Sequence, residues 1–238
     1  MSETPVLQVR SLKEQVYDYL RGQMQKGELS PGSTLDMEDI CRRLGVSKTP
    51  LREALLQLET EDFVTIRPRR AVVINALTSR EIKDIYEVIG ALEGWALDAS
   101  YFRLKAAHLR AMQRLTGEMA KAIKANNFDL YYKKNLRFHN IYLELCGNDK
   151  LVRVVTTLKK RLYDFPRPSR FIKEWEMASI AEHRELVRLM RRGKKREAVR
   201  FIQNVHWSFL VQEKYIRRYY PQAGWPQPEK RSDLRKGR

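Results

Sequence analysis

Only two cysteines, Cys41 and Cys146, occur in 238 residues, far apart and in no metal-like spacing. That excludes a disulfide framework and points to a reducing, cytoplasmic setting. No stretch approaches the roughly 20 apolar residues that a helix needs to cross a bilayer, so no membrane partner is expected. The opening residues, MSETPVLQVRSLKEQ, lack the apolar h-region of a signal peptide. Internal repeats and low-complexity tracts are absent too. Histidine is scarce, four in all, which makes the place of each informative.

Positive charge is in excess, +17 net. A polyanionic partner is its ordinary meaning, but the distribution qualifies it. Residues 1–77 hold 11 Lys/Arg and 11 Asp/Glu, residues 78–220 hold 30 and 16, and residues 221–238 hold 5 and 2. The N-terminal region is neutral, so a DNA-binding role there rests on pattern, not on charge.

The pattern is specific. Ser11 and Glu14 form a capping box, and Val16, Leu20 and Met24 mark the first helix. Asp36 is a plausible N-cap for a second helix with Met37, Ile40, Cys41 and Leu44 on one face, closed by Gly45. A third helix starts at Ser47 or Thr49, with Pro50 in its first turn and Leu51, Ala54, Leu55 and Leu58 as its buried stripe. This is helix–turn–helix spacing, in which the N-terminal end of the last helix enters the major groove. Ser47, Lys48, Thr49 and Arg52, with Arg42 beside them, are the candidate DNA contacts. In FVTIRPRRAVVI two alternating runs flank a basic turn, which predicts a hairpin wing carrying Arg67, Arg69 and Arg70.

PGSTLDMEDICRRLGVSKTPLREALLQLE resembles the winged helix of the GntR family of bacterial transcription regulators, most specifically in GVSKTPLREAL. The resemblance implies that Ser47, Lys48, Arg52 and the wing tip meet operator DNA. One winged helix reads a half-site, so a homodimer is expected. Asp62 and Arg69 stand where the family usually has glycine; Asp tolerates positive φ better than most residues.

Residues 78–220 read as an all-helical bundle, with spans near 78–100, 105–125, 128–146, 149–165, 171–192 and 195–219. The breaks fall at Asn126-Asn127, Gly147-Asn148, Pro166-Arg167-Pro168 and Gly193. His183 lies 10 residues before Gly193 and His206 13 after it. At about 1.5 Å per residue an antiparallel pair brings them to similar heights. Asn135 and His139 share a face of a third helix. Three imidazoles and an amide oxygen at one level make a divalent metal site or a set of hydrogen-bonded core histidines. The fourth, His108, is a surface or packing residue. A metal-dependent enzyme is a rival reading, but only Glu182 and Glu185 stand near as bases, and it leaves the winged helix unexplained.

EVIGALEGWALDAS, NLRFHNIYLELCGND, AEHRELVRLM and AVRFIQNVHWSFL resemble the FCD ligand-binding domain of the FadR subgroup. The resemblance implies that His139, His183, His206 and Asn135 hold a divalent ion, zinc or nickel, to which a small carboxylic acid effector binds. Tyr86, Tyr131, Tyr142 and Gln203 are the candidate ligand contacts. Asn135 stands where most metal-binding members have Asp, and Ile89 where the family often has a carboxylate-gripping Arg; a metal-free pocket is therefore a third reading. The expected organisation is a winged helix over 1–77, a helical effector and dimerisation domain over 78–220, and a flexible basic tail over 221–238.

Overall fold

The computed structural model describes residues 10–68, 70–163 and 171–225. In the N-terminal part α1 (Leu12–Lys26), α2 (Met37–Leu44) and α3 (Lys48–Thr60) precede a sheet of β1 (Thr34–Leu35), β2 (Val64–Arg67) and β3 (Ala71–Ile74). Ser11 and Glu14 close the capping box on α1, and the Asp36 side chain accepts from the first amides of α2. The stripe Val16, Tyr17, Leu20 and Met24 of α1 packs with Leu51, Ala54, Leu55 and Leu58 of α3. Burying such a side chain stabilises by about 1.5–3 kcal/mol. The wing is larger than the expected hairpin. Its strand order is β1-β3-β2, all antiparallel, with Thr34 opposite Val73 and Val64 opposite Ile74. Two residues are too short a run for alternation to reveal, which is why β1 escapes a reading by periodicity.

The turn after α3 uses the left-handed backbone that the sequence suggests. Asp62 has φ +62°, and the Phe63 amide donates to the Leu58 carbonyl at 2.8 Å, closing a Schellman-type end.

The C-terminal part is a helical bundle built round α4 (Ser79–Ser100), whose N-terminus Thr78 caps with Glu81. It packs against α6 (Phe128–Leu145), α7 (Asp149–Tyr163), α9 (Lys195–Phe201) and α10 (Phe209–Tyr219), while α5 (Ala106–Lys124) packs on α6 and on α8 (Lys173–Arg191). The single helix expected over 195–219 is in fact broken. A π-turn, Ile202–His206, separates α9 from α10, and the Trp207 amide reaches back five residues to the Ile202 carbonyl at 2.9 Å. Such turns insert one residue and rotate the chain beyond them. The π-turn packs on the glycine face of α4: a Cβ on Gly90 would lie 3.1 Å from Trp207 Cβ.

Residues 221–225, the first of the segment expected as a tail, contact the bundle. The Ser79 amide, one of the unpaired donors at the start of α4, donates to the Ala223 carbonyl at 2.7 Å, and the Trp225 indole stacks on Phe209. Arg69, the Pro166-Arg167-Pro168 break and residues 226–238 lie outside the described residues.

Asp62 offers a direct check of the α3 turn. Asp62→Val is expected to lower the unfolding free energy by about 1–2 kcal/mol, because a β-branched side chain resists positive φ. Asp62→Gly is expected to match or exceed the wild type in urea unfolding. Equal losses in both variants would show that the carboxylate, not the backbone, matters there.

Candidate metal centre and DNA-reading helix

Ser47, Lys48, Thr49 and Arg52 are all exposed at the N-terminal end of α3. Ser47 is the N-cap by position, but its hydroxyl caps no amide. A helix N-terminus of this kind suits phosphate. Lys48 pairs with Glu38 at 3.0 Å and Arg42 with Asp39 at 2.8 Å. Both pairs are exposed, and such pairs contribute little, so they yield readily to a polyanion. Arg67 and Arg70 are exposed at the wing, where the Arg70 amide closes the turn on the Arg67 carbonyl.

In the bundle His139 on α6, His183 on α8 and His206 on the π-turn bring one possible ligand atom each to within 4.8 Å of one another. His139 and His183 are fully buried, and His206 keeps 9% of its side chain exposed. The His139 and His183 Nε2 atoms are 3.1 Å apart. Two nitrogens on one tetrahedral ion, each at about 2.0–2.1 Å, stand roughly 3.3 Å apart, so the spacing suits a shared ion.

Two carboxylates fix the rings. Glu93 Oε2 lies 2.9 Å from His139 Nδ1, and Glu182 Oε2 lies 2.7 Å from His206 Nδ1. An ionised carboxylate only accepts, so in both rings Nδ1–H donates and the Nε2 lone pair is left for a ligand. Burial pushes the His139 imidazole down to about 3, the Glu93 charge opposing and Lys159 assisting. Burial and the two neighbouring imidazoles hold His183 well below its ordinary value. Both are neutral at physiological pH, the form that binds metal. Asn135 is the fourth residue expected at the site. It is 6% exposed, and its Oδ1 is buried without a hydrogen-bond partner, a donor that matches an oxygen ligand.

Glu93 is wholly buried and its surroundings explain how. Burial alone would push its carboxyl up, but His139 and Lys159 outweigh that and keep it well below the usual range. Lys159 forms an ion pair with it, the Trp207 indole donates at 2.9 Å, and the Tyr142 hydroxyl donates as well. Neither Glu93 nor Lys159 figured among the candidate residues. Each falls on the apolar stripe of its helix.

Beside the histidines a cavity open to solvent is lined by residues that include Asn135 and His206. Nine of its sixteen lining residues are aromatic, Tyr86 and Tyr131 among them. Two candidate ligand contacts sit elsewhere. Tyr142 lies behind His139, bonded to its Nδ1 at 2.7 Å. Gln203 lies against Gly94, because the π-turn rotates it away from the cavity. Ile89 is buried in the core, and His108 Nδ1 accepts from the Lys105 amide at the start of α5. The carboxylates of the rival enzyme reading are engaged: Glu182 Oε1 accepts from Gln212 at 3.0 Å, and Glu185 pairs with Arg188.

Glu93→Gln is expected to cost about 3–5 kcal/mol, since it strands the Lys159 ammonium in the interior. Adding Lys159→Met should recover much of that loss in urea unfolding. A single-variant cost under about 1 kcal/mol would show that the pair is not what holds this region.

Comparison with known proteins identifies both parts of the chain. Residues 84–205 match the FCD domain, and residues 12–74 match the bacterial regulatory proteins of the gntR family. An HTH-type transcriptional regulator of the TAR-I ttuE-ttuC' intergenic region of Agrobacterium vitis is 32% identical over 129 residues, 52% of this chain and 74% of its own. The regulator YdhC of Bacillus subtilis is 23% identical over 77% of this chain and 83% of its own. Among solved structures, Escherichia coli McbR/YncC superposes with a TM-score of 0.65 at 21% identity, over 90% of this chain and 99% of that one. A GntR regulator from Rhodococcus sp. RHA1 also gives 0.65, at 15% identity, over 88% and 100%. These families and relatives are transcription regulators, not enzymes. The chain belongs to the GntR family of bacterial regulatory proteins, with an FCD domain as its ligand-responsive part.

Proposed function

We propose that this regulator is a metal-anchored sensor of the FadR subgroup, with a winged helix over residues 1–77 that reads operator DNA and an effector and dimerisation domain over residues 78–220. The ion is zinc or nickel, held by His139, His183, His206 and the Asn135 amide oxygen. The effector is a small carboxylic acid that meets the ion from the cavity. The observation that carries this reading is the pair of carboxylates, Glu93 and Glu182, that turn two Nε2 lone pairs toward His183. A core histidine needs one partner; these are arranged as ligands with their outer support. The protein acts as a homodimer on a two-fold operator in the cytoplasm. Effector binding favours one arrangement of the two reading heads over the other.

Helix α7 suits this coupling. Lys159 reaches Glu93 beside the histidines, and two residues on Arg161 reaches the other way, over the Phe63 ring and to the Ala76 carbonyl at 3.4 Å. A shift of α7 is therefore felt both at the sensor and at the foot of the wing.

Metal content by mass spectrometry on untagged protein tests the sensor: about one ion per chain is expected, lost in His139→Ala. No ion after incubation with zinc or nickel would leave a metal-free pocket instead. Arg52→Ala tests the reading head. Operator affinity in a gel-shift titration at fixed salt should fall about tenfold or more, with the urea midpoint unchanged. Unaltered affinity would remove Arg52 from the interface.

A further inference from the structure

We propose that the end of the cavity built round Glu176 binds an organic ammonium group, so that the effector is a zwitterion rather than a plain acid. The carboxylate half of this ligand rests on the metal-anchored reading; the ammonium half rests on separate residues.

The cavity has an unexpected charge for this chain. In a protein of net charge +17, its described lining contains no lysine or arginine and two glutamates, Glu176 and Glu182. Both Glu182 oxygens are engaged, one by His206 and one by Gln212. Glu176 is different. It is 8% exposed, and its partner is the Tyr131 hydroxyl rather than a cation. The phenols of Tyr86, Tyr131 and Tyr163 lie close enough to feel its charge, and burial keeps all three neutral. The unpartnered Asn135 Oδ1 lines the same cavity as a further acceptor.

A largely buried carboxylate among aromatic faces is the arrangement that holds an alkylammonium. A second carboxylate placed there would meet the like charge of Glu176 and Glu182 with no lysine or arginine among the described lining residues. Burial lifts the Glu176 carboxyl to about 7, against the Tyr131 hydrogen bond; nothing positive among its described neighbours holds it ionised, and an ammonium would. The geometry also sets the ligand's length. Glu176 precedes His183 by seven residues on α8, which puts both on one face about 10 Å apart. One end of the cavity thus offers ligands for an ion, and the other offers a cation site.

The test is calorimetric titration of the full chain, chelator-stripped and zinc-reloaded, with acetate, tetramethylammonium and trimethylammonioacetate. Trimethylammonioacetate is expected to bind the zinc-loaded wild type about tenfold or more tighter than acetate. Glu176→Gln should erase that gain and leave acetate unchanged, while Glu176→Asp, which keeps the charge, should retain part of it. Tetramethylammonium binding should survive His139→Ala. Equal affinities for acetate and the zwitterion, or a gain that persists in Glu176→Gln, would overturn the proposal. Tetramethylammonium binding without any acetate binding would sink the metal-anchored acid and leave the ammonium site standing.

Discussion

One buried carboxylate organises the sensor. An ionised group removed from water is costly unless every oxygen is met, and Glu93 is met from four directions: Lys159 on α7, His139 and Tyr142 on α6, and Trp207 just past the π-turn. Separate stretches of chain must therefore arrive together. The π-turn can come close only because α4 presents Gly90 and Gly94 on that face. The same contacts that satisfy Glu93 set the tautomer of His139. Packing, electrostatics and ligand geometry are here one constraint rather than three.

The interior of the bundle and the reading head share α7. Its stripe of Leu151, Val155, Lys159 and Leu162 faces the core, and Arg161 turns toward Phe63 and Ala76 in the N-terminal part. Arg161 is nearly buried and draws on Glu81 at 3.6 Å as well. A charged side chain in such a place is expensive to rearrange, so the joint behaves as a seat with few alternative fits. That is the property a two-state coupling needs.

Much of this was legible in the residues. GVSKTPLREAL placed the reading helix, and the distances of His183 and His206 from Gly193 placed two imidazoles at one height, because helical rise is regular. Asp62 announced a left-handed turn, and it has one. What escaped has physical reasons. Glu93 and Lys159 sit in phase with the apolar stripes Ile82, Ile85, Ile89 and Val155, Leu162, but a single charge in a stripe is ordinarily read as a helix edge. Only the fold reveals that two opposite charges on different helices meet. The π-turn has no residue signature at all, so the side to which Gln203 points could not be read from a 3.6-residue period. Strand β1 owes its existence to β3, a tertiary partner that local pattern does not contain.

An amide rather than a carboxylate at position 135 fits the rest of the site. Three neutral imidazoles and an amide oxygen carry no charge, so an ion held by them would keep both of its charges at the inner donors. Glu93 and Glu182 answer part of that charge through the rings, but Glu93 is already shared with Lys159. The histidine end of the cavity would then be more positive than with an aspartate, and would draw an anionic group more strongly. Ile89, buried in the core, supplies no competing cation. At the other end Glu176 is the opposite pole, with aromatic rings between that weaken screening by water.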